Sequence, residues 1–295
     1  MALTIPFNGN IWFKPESYYA EGTSGSKTGW RISDKIYAVR WSFGDTFKGL
    51  TGVSSPNISA FISTPSDPTL HVEWVAQETA NSLVSYCCVR NSTTSDLTSL
   101  CFEICPNIYA TAGTHTYLVL TGCKAKSINL KSGTGNEFIY TADFSVCSIN
   151  TSDTASLTSQ GLLNGAFGVF NKAGNVVAKN TSTAIATIVD DIDVTCNNNL
   201  KDLWDHDSPY KQACVPGEKS ITGTVGLYFD DGGKSFIDNL YVPLTNVTVT
   251  IGSLTTYKTW TFTDAVWVGL DMELGKTNDG IKTSQKFTAK DFTLV

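Results

Sequence analysis

The chain has 295 residues and a net charge of −6, with 41% apolar and only 16% charged side chains. That charged fraction lies well below the ~25% of an average soluble protein, and Thr, Ser, Asn and Gly fill the gap. Plentiful aromatic and β-branched residues exclude a disordered chain. The lack of a basic tract excludes adhesive binding to a phosphate backbone, and no apolar run approaches the ~18–20 residues of a membrane span.

Met1 to Gly9 carry neither the basic n-region nor the apolar h-region of a secretory leader, so synthesis in a cytoplasm is expected. Ile36–Phe43 alternates apolar and polar side chains, the period of a half-buried strand. A long connection, Gly44–Ala60, follows; connections beyond ~12–15 residues without their own structure usually carry function. Leu70–Trp74 is the next strand, and Gln77–Cys88 the best helical candidate. Tyr117–Gly133 and Phe138–Ile149 read as a hairpin around Gly133–Asn136. The Ser/Thr-rich Asn150–Gln160 reads as a linker. Ile192, Val194 and Cys196 resume the alternation, and a second long connection runs over Asn197–Cys214. Strand signals then occupy Thr222–Phe229, Val247–Ile251, Thr259–Thr263 and Val266–Leu274, with a short helical candidate at Gly233–Asn239. Asp231-Gly232-Gly233 and Asn278-Asp279-Gly280 are turn signals.

The order of these features repeats. Phe7–Phe13 resembles Leu163–Val169 at an offset of 156, and Val39, Trp41 and Phe43 match Ile192, Val194 and Cys196 at 153. Ser55-Pro56 matches Ser208-Pro209 at the same offset, Leu70–Trp74 parallels Thr222–Gly226 at about 152, and Tyr117–Gly133 overlays Thr259–Gly275 at 142. A conserved order with a drifting offset is what loop-length changes between two copies of one domain would produce. The first copy covers about 7–149 and the second 163–295. The charge divides unevenly: residues 1–150 carry 10 basic and 11 acidic side chains, residues 151–295 carry 11 and 16.

Catalytic templates fail in turn. No GxSxG elbow, HExxH pair or Walker A loop occurs, and His71, His115 and His206 belong to no visible triad. Asp190, Asp191, Asp193, Asp202, Asp205 and Asp207 cluster, but Asp191-x-Asp193 lacks the bidentate Glu of a calcium loop. The readings left open are a solvated or interface face, a cation site and an electrostatic lining. Paired carboxylates for glycoside hydrolysis have no sequence spacing. Trp41, Trp260 and Trp267 sit in alternating strands, where core or interface roles outweigh a sugar groove. The cysteines Cys87, Cys88, Cys101, Cys105, Cys123, Cys147, Cys196 and Cys214 read first as buried small hydrophobes, with one or two bridges or a metal site as alternatives. Five sequons, at Asn57, Asn91, Asn150, Asn180 and Asn246, carry little meaning without a leader.

The tandem pattern resembles the tail tube proteins of long-tailed, siphovirus-like viruses of bacteria and archaea, in their duplicated-domain form. The resembling stretches are Trp12–Gly22, Trp30, Ile36–Phe43, Tyr117–Gly122, Ala125–Leu130 and Phe138–Ile149, then Ile221–Phe229 and the closing hairpin from Thr259 through Gly275 to Phe292. The resemblance implies a mainly β fold of two tandem β-sandwiches or partial barrels, each with a short flanking helix and a long inter-ring loop. The implied bounds are 1–149, a linker at 150–162, and 163–295. It implies a structural, non-enzymatic major tail tube subunit with no catalytic or metal site and no cofactor. Trimeric, pseudo-sixfold rings would stack into a conduit in the virion tail after assembly in the host cytoplasm. Implied partners are further copies, a tape-measure protein, and terminator and tip proteins, with viral DNA passing through without specific binding. Inter-ring contacts would come from Asp45, Thr46, Phe47, Lys48, Leu50, Leu200, Lys201, Leu203, Trp204 and Tyr210. The arm Ala2–Lys27 would pack on a neighbour through Phe7, Trp12, Phe13, Tyr18 and Tyr19. The competing reading is a secreted or surface β-sandwich binding module, adhesin- or lectin-like.

Overall fold

The structure, a computed structural model, describes residues 10–23, 28–33, 35–44, 47–51, 58–63, 66–76, 83–106, 116–133, 137–159, 176–180, 183–184, 189–205, 207–208, 210–228, 246–252, 257–273 and 282–294. The fold is mainly β. The first half contains β1 (Asn10–Pro15), β2 (Thr28–Arg31), β3 (Ile36–Ser42), β4 (Phe47–Thr51), β5 (Ile58–Ser63), β6 (Thr69–Val75), α1 (Leu83–Cys88), β7 (Leu100–Cys105), β8 (Tyr117–Gly133), β9 (Ile139–Ser145), β10 (Ser148–Ser152) and β11 (Thr158–Ser159). The second contains β12 (Val176–Asn180), β13 (Thr183–Ala184), β14 (Val189–Asn197), β15 (Lys201–Trp204), β16 (Lys211–Val215), β17 (Ser220–Tyr228), β18 (Asn246–Gly252), β19 (Tyr257–Thr263), β20 (Val266–Glu273), β21 (Lys282–Ala289) and β22 (Asp291–Leu294).

Strand β8, 17 residues long, organises the rest. Its second half lies in an antiparallel run of strands ordered β3-β6-β9-β8-β14-β17-β21-β20. Its first half turns away and joins β2-β1-β7-β8-β10, with β11 parallel to β2. The turn is made at Gly122, whose φ is 62°. A Cβ there would meet Cys147 Cβ at 2.6 Å, so both the conformation and the close approach require glycine. Register shifts on either side, against β7 and against β9, let the strand bend. A separate sheet is ordered β13-β12-β18-β19-β22.

The same construction recurs along the chain. The β3–β6 pairing shifts register between Ile36 and Ala38, and the β14–β17 pairing between Val189 and Asp191, 153 residues on. The β4–β5 hairpin shifts between Leu50 and Thr51, and the β15–β16 hairpin between Leu203 and Trp204, again 153 on. The β8–β9 pairing shifts between Ala125 and Ser127, and β20–β21 between Trp267 and Gly269, 142 on. Gly122 and Asp264, also 142 apart, both take positive φ.

Two expectations need correction. Both long connections are β-hairpins, β4–β5 and β15–β16, and not structureless loops. The β3–β6 and β14–β17 registers coincide at an offset of 153, which sets buried Leu70 and Val72 with buried Gly223 and Val225, whereas the expected offset of about 152 would set Leu70 with exposed Thr222. Because side chains alternate faces, that single residue inverts the strand. The stretch matched to Phe7–Phe13, Leu163–Val169, lies outside the described residues. The helix α1 covers the end of Gln77–Cys88; residues 77–82 and the candidate at Gly233–Asn239 lie outside the described residues.

The inner strands of the long run, β6, β9, β8, β14, β17 and β21, each bury one face. Val72, Phe144, Ile128, Leu130, Ile192, Val194, Val225 and Phe287 belong to one core that continues through Trp260, Phe262 and Trp267. The Ser/Thr-rich segment after β9 is held to the first half. Thr151 and Ser152 pair with Leu118 and Tyr117, Leu157 is buried, and the Glu103 carboxylate accepts the Ser156 and Leu157 N–H groups at 2.6 and 3.1 Å.

Candidate interface: an internal seam, its clasp and two open edges

The halves meet along a seam where β8 pairs with β14, from Ser127 opposite Asn197 to Gly133 opposite Asp191. On the buried face Ile128 lies opposite Cys196 and Leu130 opposite Val194, all of them excluded from solvent. On the polar face the Asn129 amide donates to Asp193 at 2.5 Å and to Thr195 at 2.9 Å, and Lys131 faces Asp193 at 3.9 Å. Exposed pairs of this kind contribute at most about 1 kcal/mol, so here they fix register more than stability. Behind the seam, Trp260 stacks on Tyr140 with ring centroids 5.7 Å apart, and its indole N–H donates to the Tyr140 hydroxyl at 3.0 Å.

The β15–β16 hairpin closes over the β8 kink like a clasp. Lys211 is fully buried there; its ammonium donates to Ser145 Oγ at 2.5 Å, contacts Asp202 at 3.1 Å and pairs with Asp67. A buried ammonium is tolerable only with such partners. Burial raises the Asp202 carboxyl, but hydrogen bonds from Cys214, Ser145 and Lys211, with the Lys211 charge, outweigh it and hold the group below its ordinary value. Beside it the Lys124 ammonium donates to Asp96 and to the Cys214 carbonyl, each at 2.8 Å. Asn198, buried behind the hairpin, donates to the Cys87 and Ala125 carbonyls at 2.7 and 3.0 Å. On the other side of the kink, the Glu16 carboxylate accepts the N–H groups of Gly22 at 2.8 Å and Gly122 at 3.2 Å.

The ten residues expected to contact the next ring divide accordingly. Asp45 and Thr46 lie outside the described residues, and for Phe47, Lys48 and Leu50 only the β4 backbone is described. Leu200 precedes β15, Lys201 is exposed, and Leu203, Trp204 and Tyr210 project to solvent at 50%, 37% and 53% exposure. Of the arm residues, Phe7 lies outside the described set. Tyr18 is exposed, Trp12 and Tyr19 are half-buried, and Phe13 is fully buried. Phe13 is therefore corrected to a core residue: β1 pairs with β7, and the ring packs against Phe102 at 6.2 Å. Sequence reasoning placed Asp202 only in an acidic cluster and missed Lys211, Asp67 and Ser145, because their meaning depends on a hairpin docking that has no local signature; it missed Glu16 because one of its N–H partners, Gly122, lies 106 residues away.

All eight cysteines are buried free thiols. Burial raises Cys101 and Cys214 to about 12, which leaves little thiolate at neutral pH. Among the described residues no group of three or more His, Cys, Asp or Glu is placed to hold a metal ion. His71 Nδ1 lies 2.7 Å from Asp143, to whose other oxygen Ser127 donates at 3.2 Å; this is a cross-strand pair on the polar face, with Asp143 exposed.

The outermost strands of the run contrast with the seam. Among the described residues β3 pairs with β6 alone and β20 with β21 alone, so each leaves one edge open. Tyr37 and Phe43 on or beside β3 and Val268 on β20 are 43%, 53% and 43% exposed. Compared with known proteins, the chain matches no family model and no curated protein sequence.

Proposed function

We propose that the chain is the major tail tube subunit of a long-tailed virus, built from two tandem copies of one β unit. In this reading it assembles into rings, trimeric with pseudo-sixfold symmetry, that stack into a conduit for the genome. The carrying observation is that two runs of four strands with the same order and coincident register shifts are joined edge to edge, while among the described residues neither outermost strand has a second partner. An open edge is a liability for a solitary protein and an assembly device for a ring-forming one.

The polar face of the long run is the lumen wall in this reading. Its described charges are Arg40, Lys131 and Lys286 against Glu73, Asp143, Asp191 and Asp193, set among Thr141, Thr195, Thr222, Thr224 and Thr288. The described part of this wall is nearly neutral and offers DNA no phosphate clamp, which suits transit. The exposed hairpin residues Leu203, Trp204 and Tyr210 are assigned to the adjacent ring. Tape-measure, terminator and tip proteins are the other partners this role requires.

Electron microscopy of the purified, concentrated protein tests the reading. Rings or tubes with a central channel are expected. Dispersed monomers that bind a surface ligand would favour the adhesin-like alternative instead.

A further inference from the structure

We propose that the open edge of β20 in one copy of the chain pairs antiparallel with the open edge of β3 in the next copy, in the register already realised inside the chain between β8 and β14. The inference rests on the reading of the halves as two copies of one unit and specifies how those units join between chains.

The register follows from the recurrence. Residues of β8 map onto β20 at an offset of 142, and residues of β14 map onto β3 at 153, offsets fixed by register shifts that coincide residue for residue. The observed seam places Ser127 opposite Asn197, Ile128 opposite Cys196, Asn129 opposite Thr195, Leu130 opposite Val194 and Lys131 opposite Asp193. Carried across, these become Gly269 opposite Gly44, Leu270 opposite Phe43, Asp271 opposite Ser42, Met272 opposite Trp41 and Glu273 opposite Arg40.

The pairs that this register sets opposite one another match in chemistry. Leu270 meets Phe43 and Met272 meets Trp41, apolar against apolar. Asp271 meets a hydroxyl. Glu273 meets Arg40 where the internal seam sets Lys131 against Asp193, so a charge pair survives with its polarity reversed. Directly opposed residues of an antiparallel pair share one face, where opposite charges and apolar pairs both favour association.

Exposure points the same way. Val194 and Cys196 are fully buried at the seam, while their counterparts Trp41 and Phe43 are partly exposed, Phe43 at 53%. The free edge thus lacks the cover that the internal copy has. Because the two edges differ, the contact is head to tail, and successive additions continue until the ring closes.

Disulfide trapping in the full-length chain tests the register. Under mild oxidation Ser42→Cys combined with Asp271→Cys is expected to link chains into a ladder that ends at a closed ring. The slipped pairs Ser42→Cys with Gly269→Cys and Ser42→Cys with Glu273→Cys are expected to stay unlinked, as is the wild type, whose own thiols are buried. Independently, Arg40→Glu should weaken assembly about tenfold, and adding Glu273→Arg should restore it, since like charges across an interface oppose association and reversed pairs recover it. Circular dichroism of each variant controls for folding.

Linkage through a slipped pair, or no rescue by the charge reversal, would overturn the proposed register. Rings that link as expected but never stack would leave this pairing standing and remove the tube reading. Tubes that form without the Ser42–Asp271 link would do the opposite. Unlinked monomers at every concentration would remove both.

Discussion

Two aromatic rings in corresponding places show how the halves differ. In the first half Phe144 on β9 lies opposite Leu70 on one side and Ala125 on the other. In the second half Phe287 on β21 lies opposite Gly223 and Trp267. All of these positions are buried. A Cβ on Gly223 would come within 2.2 Å of the Phe287 ring, so the glycine there makes room for the ring, and Trp267, packed edge-on against Phe287 at 5.6 Å, supplies the bulk that Ala125 lacks. Large-and-small has become small-and-large around an unchanged phenylalanine. Cores tolerate such exchanges when total volume and patterning are kept. Register shifts and kinks have no such freedom, because a slip of one residue turns a strand inside out. If the halves are two copies of one unit, as proposed, they share a backbone register and differ in their filling.

The most disruptive way to break the comparison is to remove the contact that ties the two fillings together. Trp260→Ala should cost about 3–5 kcal/mol, the usual range for a buried tryptophan, and urea unfolding should lose its single transition as the halves uncouple. Next is the clasp. Lys211→Ala leaves Asp202 without the ammonium that holds it and should cost about 3–5 kcal/mol by the same measurement. The corresponding position on β5 holds Ile58, so the first half has no lysine of this kind to lose.

The kink separates the halves more finely. Gly122→Ala forces a Cβ into Cys147 at a φ of 62° and should cost about 1–3 kcal/mol in thermal melts. Asp264→Gly, at the counterpart with a φ of 50° and an exposed side chain, should change stability by no more than about 1 kcal/mol. Equal costs at both sites would mean that the two bends are not equivalent. The smallest effect is on acidification. The folded state holds Asp202 below its ordinary value, so its contribution is present at neutral pH. That contribution fades as the pH falls past the unfolded carboxylate value of about 4 and is gone below the folded one. Asp202→Asn should flatten this acid limb of the stability curve and leave the neutral limb parallel to that of the parent.

Strands were legible in the sequence because one face of each is buried, and burial writes a period of two. Leu70 and Gly223 show where legibility ends. In the proposed two-copy reading they occupy one position but share no property that a sequence comparison scores, so the sequence pattern aligns one residue out of step. The hairpins β4–β5 and β15–β16 were read as open loops because their strands are short and half polar, and Leu203 and Trp204 face solvent where alternation would hide one of them. Phe13 was assigned to a neighbour because its own partners, Phe102 and Trp30, lie far along the chain or across a turn. Lys211 carried no signal at all: one lysine in a Ser-, Asp- and Tyr-rich stretch looks solvated until the hairpin folds onto Ser145.

The Lys131–Asp193 contact has a consequence for fidelity. A chain that carries two similar seam-forming edges on each side runs the risk of exchanging them, with β20 of one molecule invading the place that β8 holds beside β14. That exchange would set Glu273 against Asp193, and its mirror would set Lys131 against Arg40, like charge facing like charge in both cases. Reversed polarity at a single rung thus acts as a key that fits one lock. In the proposed assembly it would keep each molecule closed on itself at one seam and open to its neighbour at the other, so that growth proceeds without tangling.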